Sequence, residues 1–494
     1  MGALHDARLD EELENGIKLG LLELGSDTET ETAAIEDAVK VLLEGLGEDP
    51  TREGLRKTPL RVAKSLLEGT KGYRRKVEDI VHSALFPEAG LGGGIGHAGG
   101  AGGLVVVRDI DLFSYCESCL LPFKVQCHVG YIPSGQRVVG LSKLSRVADV
   151  FAKRLQDPQR LANEVCSALH NSIKPAGVAV TLQCWHIPFP SPERSSVNLG
   201  EPAKREMQGW AQISVSSGSG DFEDPKSDSW GDFSALLKFR GVNVQQDPFS
   251  SSNIQAWCPS RAEDVPTCNG HVMKNQPNGK ILYRIGSMHP AMVSAVASIL
   301  HSLGENPLRR ELVGTPHRFV RWLMNFKRSS MEMKLNGFSY SQAGPHNLAP
   351  HSRAGHNSST RSGIRSELNL PFWSQCEHHL LPFHGVAHVS YFHAEESETV
   401  KRSVLQTIVH FHGCKLQVQE RLTRQIAEAV SSIVGESVMV VVEANHICMI
   451  SRGIEKVGSN TATIAVLGRF STEPAAKAMF LQTISNSTFS WGRT

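Results

Sequence analysis

The chain repeats itself. Leu46-Gly-Glu-Asp-Pro-Thr-Arg-Glu-Gly-Leu-Arg-Lys-Thr-Pro-Leu-Arg-Val-Ala-Lys64 returns as Leu303-Gly-Glu-Asn-Pro-Leu-Arg-Arg-Glu-Leu-Val-Gly-Thr-Pro-His-Arg-Phe-Val-Arg321, with nine of nineteen positions identical at an offset of 257. Cys116-Glu-Ser-Cys-Leu-Leu-Pro-Phe-Lys-Val-Gln-Cys-His-Val-Gly-Tyr131 returns as Cys376-Glu-His-His-Leu-Leu-Pro-Phe-His-Gly-Val-Ala-His-Val-Ser-Tyr391, with nine of sixteen identical at an offset of 260. Arg154-Leu-Gln-Asp-Pro-Gln-Arg-Leu161 is answered by Lys415-Leu-Gln-Val-Gln-Glu-Arg-Leu422. The order is kept in both halves, so this is a tandem domain duplication, and 494 residues give each copy enough chain for a core of its own.

Each half carries the same pattern of elements. The third block leads into helix-period apolar residues, Leu161, Val165 and Leu169 in one half and Leu422, Ile426, Val430 and Ile433 in the other. A β-branched run follows, 177–182 or 438–442, ending at Trp185-His-Ile or Asn445-His-Ile. Met292, Val296, Ile299 and Leu303 mark the apolar face of an earlier helix. Helices before and between antiparallel strands predict an α+β fold. We divide the chain into an N-terminal extension (1–30), a first repeat (31–241), a linker rich in Ser, Gln, Asn, Pro and Gly (242–280), and a second repeat (281–494). The Gly-rich stretch 88–103 and the Ser/His-rich stretch 339–366 are expected to be loops within the repeats.

With 51 Lys+Arg against 50 Asp+Glu the chain has no overall basic field, which argues against a nucleic-acid partner. The first twenty residues lack the features of a secretory or transit segment, and no apolar run approaches the roughly 20 residues of a membrane span. The expectation is a soluble, cytoplasmic protein without a membrane partner, whose ten cysteines are reduced thiols or metal ligands. Cys127, Cys166, Cys184 and Cys414 sit in apolar or periodic segments and read as small core residues.

The residues able to do chemistry are unequally shared. In the second half, Cys376 and His379 stand three apart, and His446 and Cys448 follow an apolar strand, whose alternation places both on one face. Cys376, His379 and Cys448 supply three zinc ligands and leave a fourth position open, the pattern of a catalytic site. His446 and His378 are then candidate proton donors and acceptors. Glu420 is either a solvated first-turn residue of a helix or a carboxylate accepting two N–H groups from a planar heterocycle. In the first half, Gly140-Leu-Ser142-Lys143-Leu-Ser-Arg146 gathers a hydroxyl and two cations suited to phosphate, although Ser142 as an N-cap beside two surface cations explains the same residues. Arg61 and Lys64, with Arg318 and Arg321 as their counterparts, are paired cations after Thr-Pro.

Cys376-Glu-His-His-x-x-Pro-Phe, Gln417-Val-Gln-Glu-Arg-Leu-Thr423, His446-Ile-Cys-Met-x-x-Arg-Gly453 and Ser459-x-Thr-x-Thr463 closely resemble the GTP cyclohydrolase I family, and the tandem arrangement resembles its two-domain plant form. The resemblance implies two tunnelling-fold (T-fold) repeats, antiparallel sheets with helices on one side that assemble into homo-oligomeric rings. It also implies a zinc-dependent hydrolase, acting on cyclic amidine C–N bonds, that converts GTP to 7,8-dihydroneopterin triphosphate and formate in pterin and tetrahydrofolate biosynthesis. By resemblance, Cys376, His379 and Cys448 hold Zn2+, His446 serves as acid and base, His378 assists, Gln419 and Glu420 hold the guanine edge, and Arg452, Ser142, Lys143, Arg146, Arg61 and Lys64 contact the triphosphate.

The first repeat departs from the family pattern at the metal: it has Ser118 and Cys119 for the histidine pair, Gln159 for the glutamate and Pro188 for the last cysteine, while keeping His186. The second has no Gly-Leu-Ser-Lys-x-x-Arg element between Tyr391 and Lys415. What one half lacks the other retains, which favours a shared active site over a catalytically impaired regulatory or pterin-binding derivative. A triphosphate carries about four negative charges, and one charge-assisted hydrogen bond to it is worth about 1.5–3 kcal/mol. Lys143→Ala is therefore expected to weaken GTP use by roughly ten- to a hundredfold in steady-state kinetics. Unchanged constants in a folded variant would refute the shared site.

Overall fold

The computed structural model describes residues 27–81, 85–87, 103–134, 137–187, 210–242, 257–262, 290–335, 363–393, 400–435, 437–454 and 460–489. The first repeat runs α1 (Asp27–Gly45), α2 (Thr58–Gly69), β1 (Val105–Cys116), β2 (Pro122–Ile132), α3 (Leu141–Ala152), β3 (Leu155–Gln156), α4 (Pro158–Ile173), β4 (Gly177–His186), β5 (Ala211–Gly220) and α5 (Asp228–Lys238). A short helix α6 (Pro259–Ala262) follows. The second repeat runs α7 (Pro290–Ser302), α8 (Thr315–Leu335), β6 (Gly363–Cys376), β7 (Pro382–His393), α9 (Arg402–Gly413), β8 (Leu416–Gln417), α10 (Gln419–Val434), β9 (Val438–His446), α11 (Ile447–Ile450), β10 (Thr461–Val466) and α12 (Pro474–Phe489). The inserts at 88–103 and 339–366 lie almost wholly outside the described residues, as do Pro188 and Ser459.

Each repeat builds a five-stranded sheet, in the orders β3-β1-β2-β4-β5 and β8-β6-β7-β9-β10. Alternation along β4 sends Val178, Val180, Leu182 and Cys184 to the main core, and Ala179 to the opposite face, where it meets Phe222, Trp230, Phe233 and Leu237. In β9, Val438, Val440 and Val442 face the main core, while Met439 and Val441 pack with Phe470, Phe480 and Ile484. The expected arrangement, antiparallel strands with helices on one side, describes four strands of each sheet and the long helices. Two features add to it. The two-residue strands β3 and β8 pair parallel to β1 and β6, being too short to show a period in sequence. The last helix of each repeat, α5 or α12, covers a patch of the other face.

Both repeats bend at the same place. The β1–β2 and β6–β7 ladders shift register at Val107/Ile110 and Glu367/Leu370, where Asp109 and Asn369 adopt left-handed φ of 57° and 56°. A fully buried imidazole accepts the backbone N–H at each bulge, His128 Nδ1 from Asp109 at 3.2 Å and His388 Nδ1 from Asn369 at 3.3 Å. These are the histidines of the His-Val pairs shared by the two repeats.

The N-terminal helices of each repeat reach across to the other. α1 packs on α7, and Ile35, Leu42 and Leu43 share one core with Met292, Val296, Ile299 and Leu303, whose burial follows the face read from the sequence. At the start of α2, the Thr58 hydroxyl donates to the Glu377 carbonyl at 2.7 Å, and Arg52 meets the Glu377 carboxylate at 3.1 Å. Arg421 completes that clamp at 2.6 Å. The mirror image is built from Thr315, Arg309 (3.1 Å) and Arg160 (2.6 Å) on Glu117. The two carboxylates are only 4% and 3% exposed.

Part of the segment read as linker is packed: Trp257 and Cys258 are 5% and 0% exposed in the core of the first repeat. A single four-residue helix shows no periodicity, which is why composition alone suggested otherwise. Among the described residues no helix is long and apolar enough to cross a membrane.

A buried carboxylate that loses one of two guanidinium partners keeps its desolvation cost, so Arg52→Ala is expected to destabilise by about 1–3 kcal/mol, below the fully buried limit because Arg52 is partly exposed. In a cycle with Glu377→Ala, measured by chemical denaturation, the coupling should be about 0.5–3 kcal/mol. Additive losses would mean that the clamp holds nothing together.

Candidate active site

Three chain segments converge at one end of the second sheet. β6 ends at Cys376, and a tight turn returns the chain into β7, with the Cys376 amide donating to the Leu381 carbonyl (2.8 Å) and Leu380 at φ 54°. The turn sets Cys376 and His379 side by side. β9 ends at His446, in register with Phe383 at the start of β7. The chain then enters α11, which swings Cys448 inward. Cys448 thus lies in the first turn of α11, two residues past the strand and not on it; convergence comes from the helical turn and not from strand alternation.

The donor atoms of Cys376, His379 and Cys448 lie within 4.8 Å of one another. Ligands of a tetrahedral zinc at about 2.0–2.3 Å from the ion stand roughly 3.3–3.8 Å apart, so the donors need close by at most about 1.5 Å, and the three residues fit one. Cys376 and Cys448 are buried, while His379 is half-buried and leaves the group open on its side. The Cys376 thiol is held well below its ordinary range, first by a hydrogen bond from Cys448, whose own thiol is pushed up by the same contact. Burial lowers His379, favouring the neutral imidazole that a metal requires.

His446 is fixed beside this group. Its ring stacks on Phe383 (4.7 Å, 9° between planes), and its Nε2 lies 2.8 Å from Gln419 Oε1. Gln419 Nε2 donates to the carbonyls of Val442 (3.0 Å) and Thr461 (2.7 Å), so its oxygen faces His446 and must accept. The network places a proton on Nε2, which donates to Gln419, and the ring also contacts the Cys376 thiol. Gln419 is buried with every polar group engaged, whereas Glu420, beside it at the first turn of α10, is exposed with no carboxylate partner among the described residues. His378 is half-buried, its ring 6.4 Å from that of His379. Arg452 Nε donates to the Cys448 carbonyl at 2.7 Å.

The first repeat contributes walls. A cavity beside His379 and Leu381 is lined from the other half by Leu42, Ser65 and Tyr115. The Tyr115 hydroxyl is 3.4 Å from Ser65 Oγ and also faces Ser451 and Arg452. Tyr115 and Phe383 escaped sequence reading because aromatic residues beside apolar runs look like core. Arg61 and Lys64 lie along α2 from the contact between Thr58 and Glu377. Their counterparts go elsewhere: Arg318 donates to the Ser118 carbonyl of the first repeat (2.6 Å) and Arg321 to the Ser260 carbonyl of α6 (3.0 Å). Ser142, Lys143 and Arg146 lie at the start of α3, Ser142 and Arg146 exposed and Lys143 half-buried, where Gly140 and not Ser142 is the N-cap. Among the described residues they touch nothing in the Cys376 group.

Residues 35–190 and 292–485 both match the family model for GTP cyclohydrolase I. The chain belongs to the GTP cyclohydrolase I family. It is 58% identical over 487 residues to GTP cyclohydrolase 1 of Solanum lycopersicum, covering 99% of each chain. It is 56% identical over 486 residues to that of Arabidopsis thaliana, covering 98% of this chain and 97% of the other. The protein of that name from Dictyostelium discoideum is 47% identical over 153 residues, 31% of this chain and 61% of its own. The two sheets are accordingly two T-fold repeats.

Cys448→Ser is expected to lose one equivalent of bound metal by elemental analysis, since two remaining protein ligands hold a divalent ion poorly. A metal content equal to wild type would exclude Cys448 from the ligand set.

Proposed function

We propose that the chain converts GTP to 7,8-dihydroneopterin triphosphate and formate at a centre on its second repeat. The observation that carries this reading is the open group of Cys376, His379 and Cys448 with His446 locked beside it in one tautomer. Cys376, His379 and Cys448 would hold zinc, which when bound supplies water acidified toward neutrality and polarises the ring being opened.

The chain's own residues do the rest. The exposed Glu420 carboxylate accepts the two N–H groups of the guanine edge, while Gln419 acts indirectly, as the residue that positions His446. The Nε2–H of His446 is committed to Gln419, so its Nδ1 takes and returns the proton during ring opening, with stacking on Phe383 holding the ring plane. His378, half-buried at the same turn, assists. Arg452, beside Cys448, and Arg61 and Lys64, along α2, supply cations for the triphosphate.

Ser142, Lys143 and Arg146 bear on assembly. Ser142 and Arg146 are exposed and Lys143 half-buried on the first repeat beside Leu141, which is 56% exposed, and each sheet ends in an edge strand, β5 or β10. A homo-oligomer in which α3 of one chain completes the centre of a neighbour accounts for both, and for each half holding part of the set. Nine described cysteines, all unpaired, suit a reducing compartment, and we place the protein in the cytoplasm.

Turnover of GTP by the purified chain, followed by formate release and pterin fluorescence, tests the reading. Glu420→Gln replaces an acceptor pair with one acceptor and one donor, and should cut turnover by about a hundredfold or more with metal content unchanged. Normal turnover by that variant would remove Glu420 from the guanine site.

A further inference from the structure

The first repeat lacks the Cys-His-Cys group of the second, yet the same end of its sheet gathers four metal-binding side chains. The donor atoms of Cys116, Cys119, His186 and Cys258 all lie within 4.8 Å of one another, and all four residues are fully buried. Cys119 Sγ is 3.3 Å and Cys258 Sγ 3.6 Å from His186 Nε2. His186 Nδ1 lies 2.7 Å from the Ile187 carbonyl, a contact that aims Nε2 at the thiols, as a ligating imidazole's second nitrogen commonly does. We infer that this is a second metal site, a closed zinc centre of three thiolates and one imidazole that no residue of the catalytic group shares.

The comparison between repeats explains how it arose. Cys116 and Cys119 occupy the turn positions of Cys376 and His379, and His186 occupies that of His446. In the second repeat Gln419 holds the histidine Nε2; the matching residue at the start of α4 is Pro158, which has no side-chain donor or acceptor. His186 is thereby free to turn its Nε2 into the cluster. The missing ligand at the position of Cys448 is replaced in space by Cys258, more than sixty residues beyond the end of β4. Cys116-x-x-Cys119 on a tight turn has the spacing of structural zinc ligands, and four protein ligands leave no position for water or substrate. The site therefore stabilises and does not hydrolyse.

Its surroundings are those of a staple. Trp257 packs edge-on against His186 (5.0 Å) and Phe123 (4.9 Å). Ser260 Oγ lies 3.0 Å from Cys258 Sγ, and Arg261 donates to Ser118 Oγ at 2.7 Å. From the second repeat, Arg318 and Arg321 bond Ser118 and Ser260. A metal here fixes 257–262 to the first repeat and presents both carbonyls to α8, so it braces the junction between the repeats next to the Glu117 clamp.

The test counts metal in the full-length chain purified under reducing conditions. Elemental analysis should find about two zinc ions per chain, with Cys258→Ser and Cys448→Ser each losing a different one. In Cys448→Ser the remaining zinc should show three sulfurs and one nitrogen by X-ray absorption, whether or not Cys258→Ser folds. His186→Cys, which offers a set of four thiolates, should keep both ions. The site is refuted by a wild-type chain with one zinc that Cys448→Ser removes entirely, by remaining zinc with a different ligand set, or by a disulfide among Cys116, Cys119 and Cys258. Because the two ions are counted separately, loss of the proposed GTP chemistry would leave this result readable.

Discussion

Two buried carboxylates, Glu117 and Glu377, organise the molecule. Each immediately follows the first cysteine of its turn, and each is gripped by an arginine of its own repeat and an arginine of the other. A buried carboxylate is tolerated only with such partners, so the turn carrying the metal ligands and the helices of the opposite repeat are obliged to come together. Neither repeat can present its turn in the same environment without the other's N-terminal helices. The duplication therefore yields one continuous core and not two beads on a string.

Residues identical in the two repeats serve this frame. Arg52 and Arg309, Thr58 and Thr315, Glu117 and Glu377, Arg160 and Arg421, and the bulge histidines His128 and His388 make paired contacts in both halves. The residues that differ change the chemistry at the sheet end. With Gln419 and Glu420 at the start of α10, the second repeat ties the Nε2 of its histidine to Gln419 and leaves the Glu420 carboxylate exposed. With Pro158 and Gln159 at the start of α4, the first repeat frees its histidine, and Gln159 spends its amide on Asn163 and the Ser216 carbonyl. These substitutions at one helix start, together with Cys119 in the place of His379 and Cys258 in the place of Cys448, separate an open group from a closed one.

Much of this was legible in the sequence. Internal similarity exposed the duplication, period-2 and period-3.6 patterns placed the main strands and helices, and the spacing of Cys376, His379 and Cys448 named the open group, because ligands near a turn and near a strand end are local features. The parallel pairing of two-residue strands and the helices over the second sheet face were not legible, since neither leaves a period. Gln419 read as a recognition residue because sequence does not reveal that three backbone and ring partners already occupy its amide.

What the sequence determined by itself is therefore which residue types exist in which half: a second repeat with Cys376, His379, Cys448, His446 and Glu420, a first repeat with a Ser-Lys-x-x-Arg element, and a frame common to both. Only the tertiary structure decided who meets whom. It took Arg318 and Arg321 away from the open group and gave them to the other repeat, and it brought Cys258 out of a segment with no pattern into a buried cluster with Cys116, Cys119 and His186. The physical reason is that ligand geometry and burial are set by distances through space, and the chain closes those distances by exchanging helices between repeats, a step that leaves no trace in local periodicity.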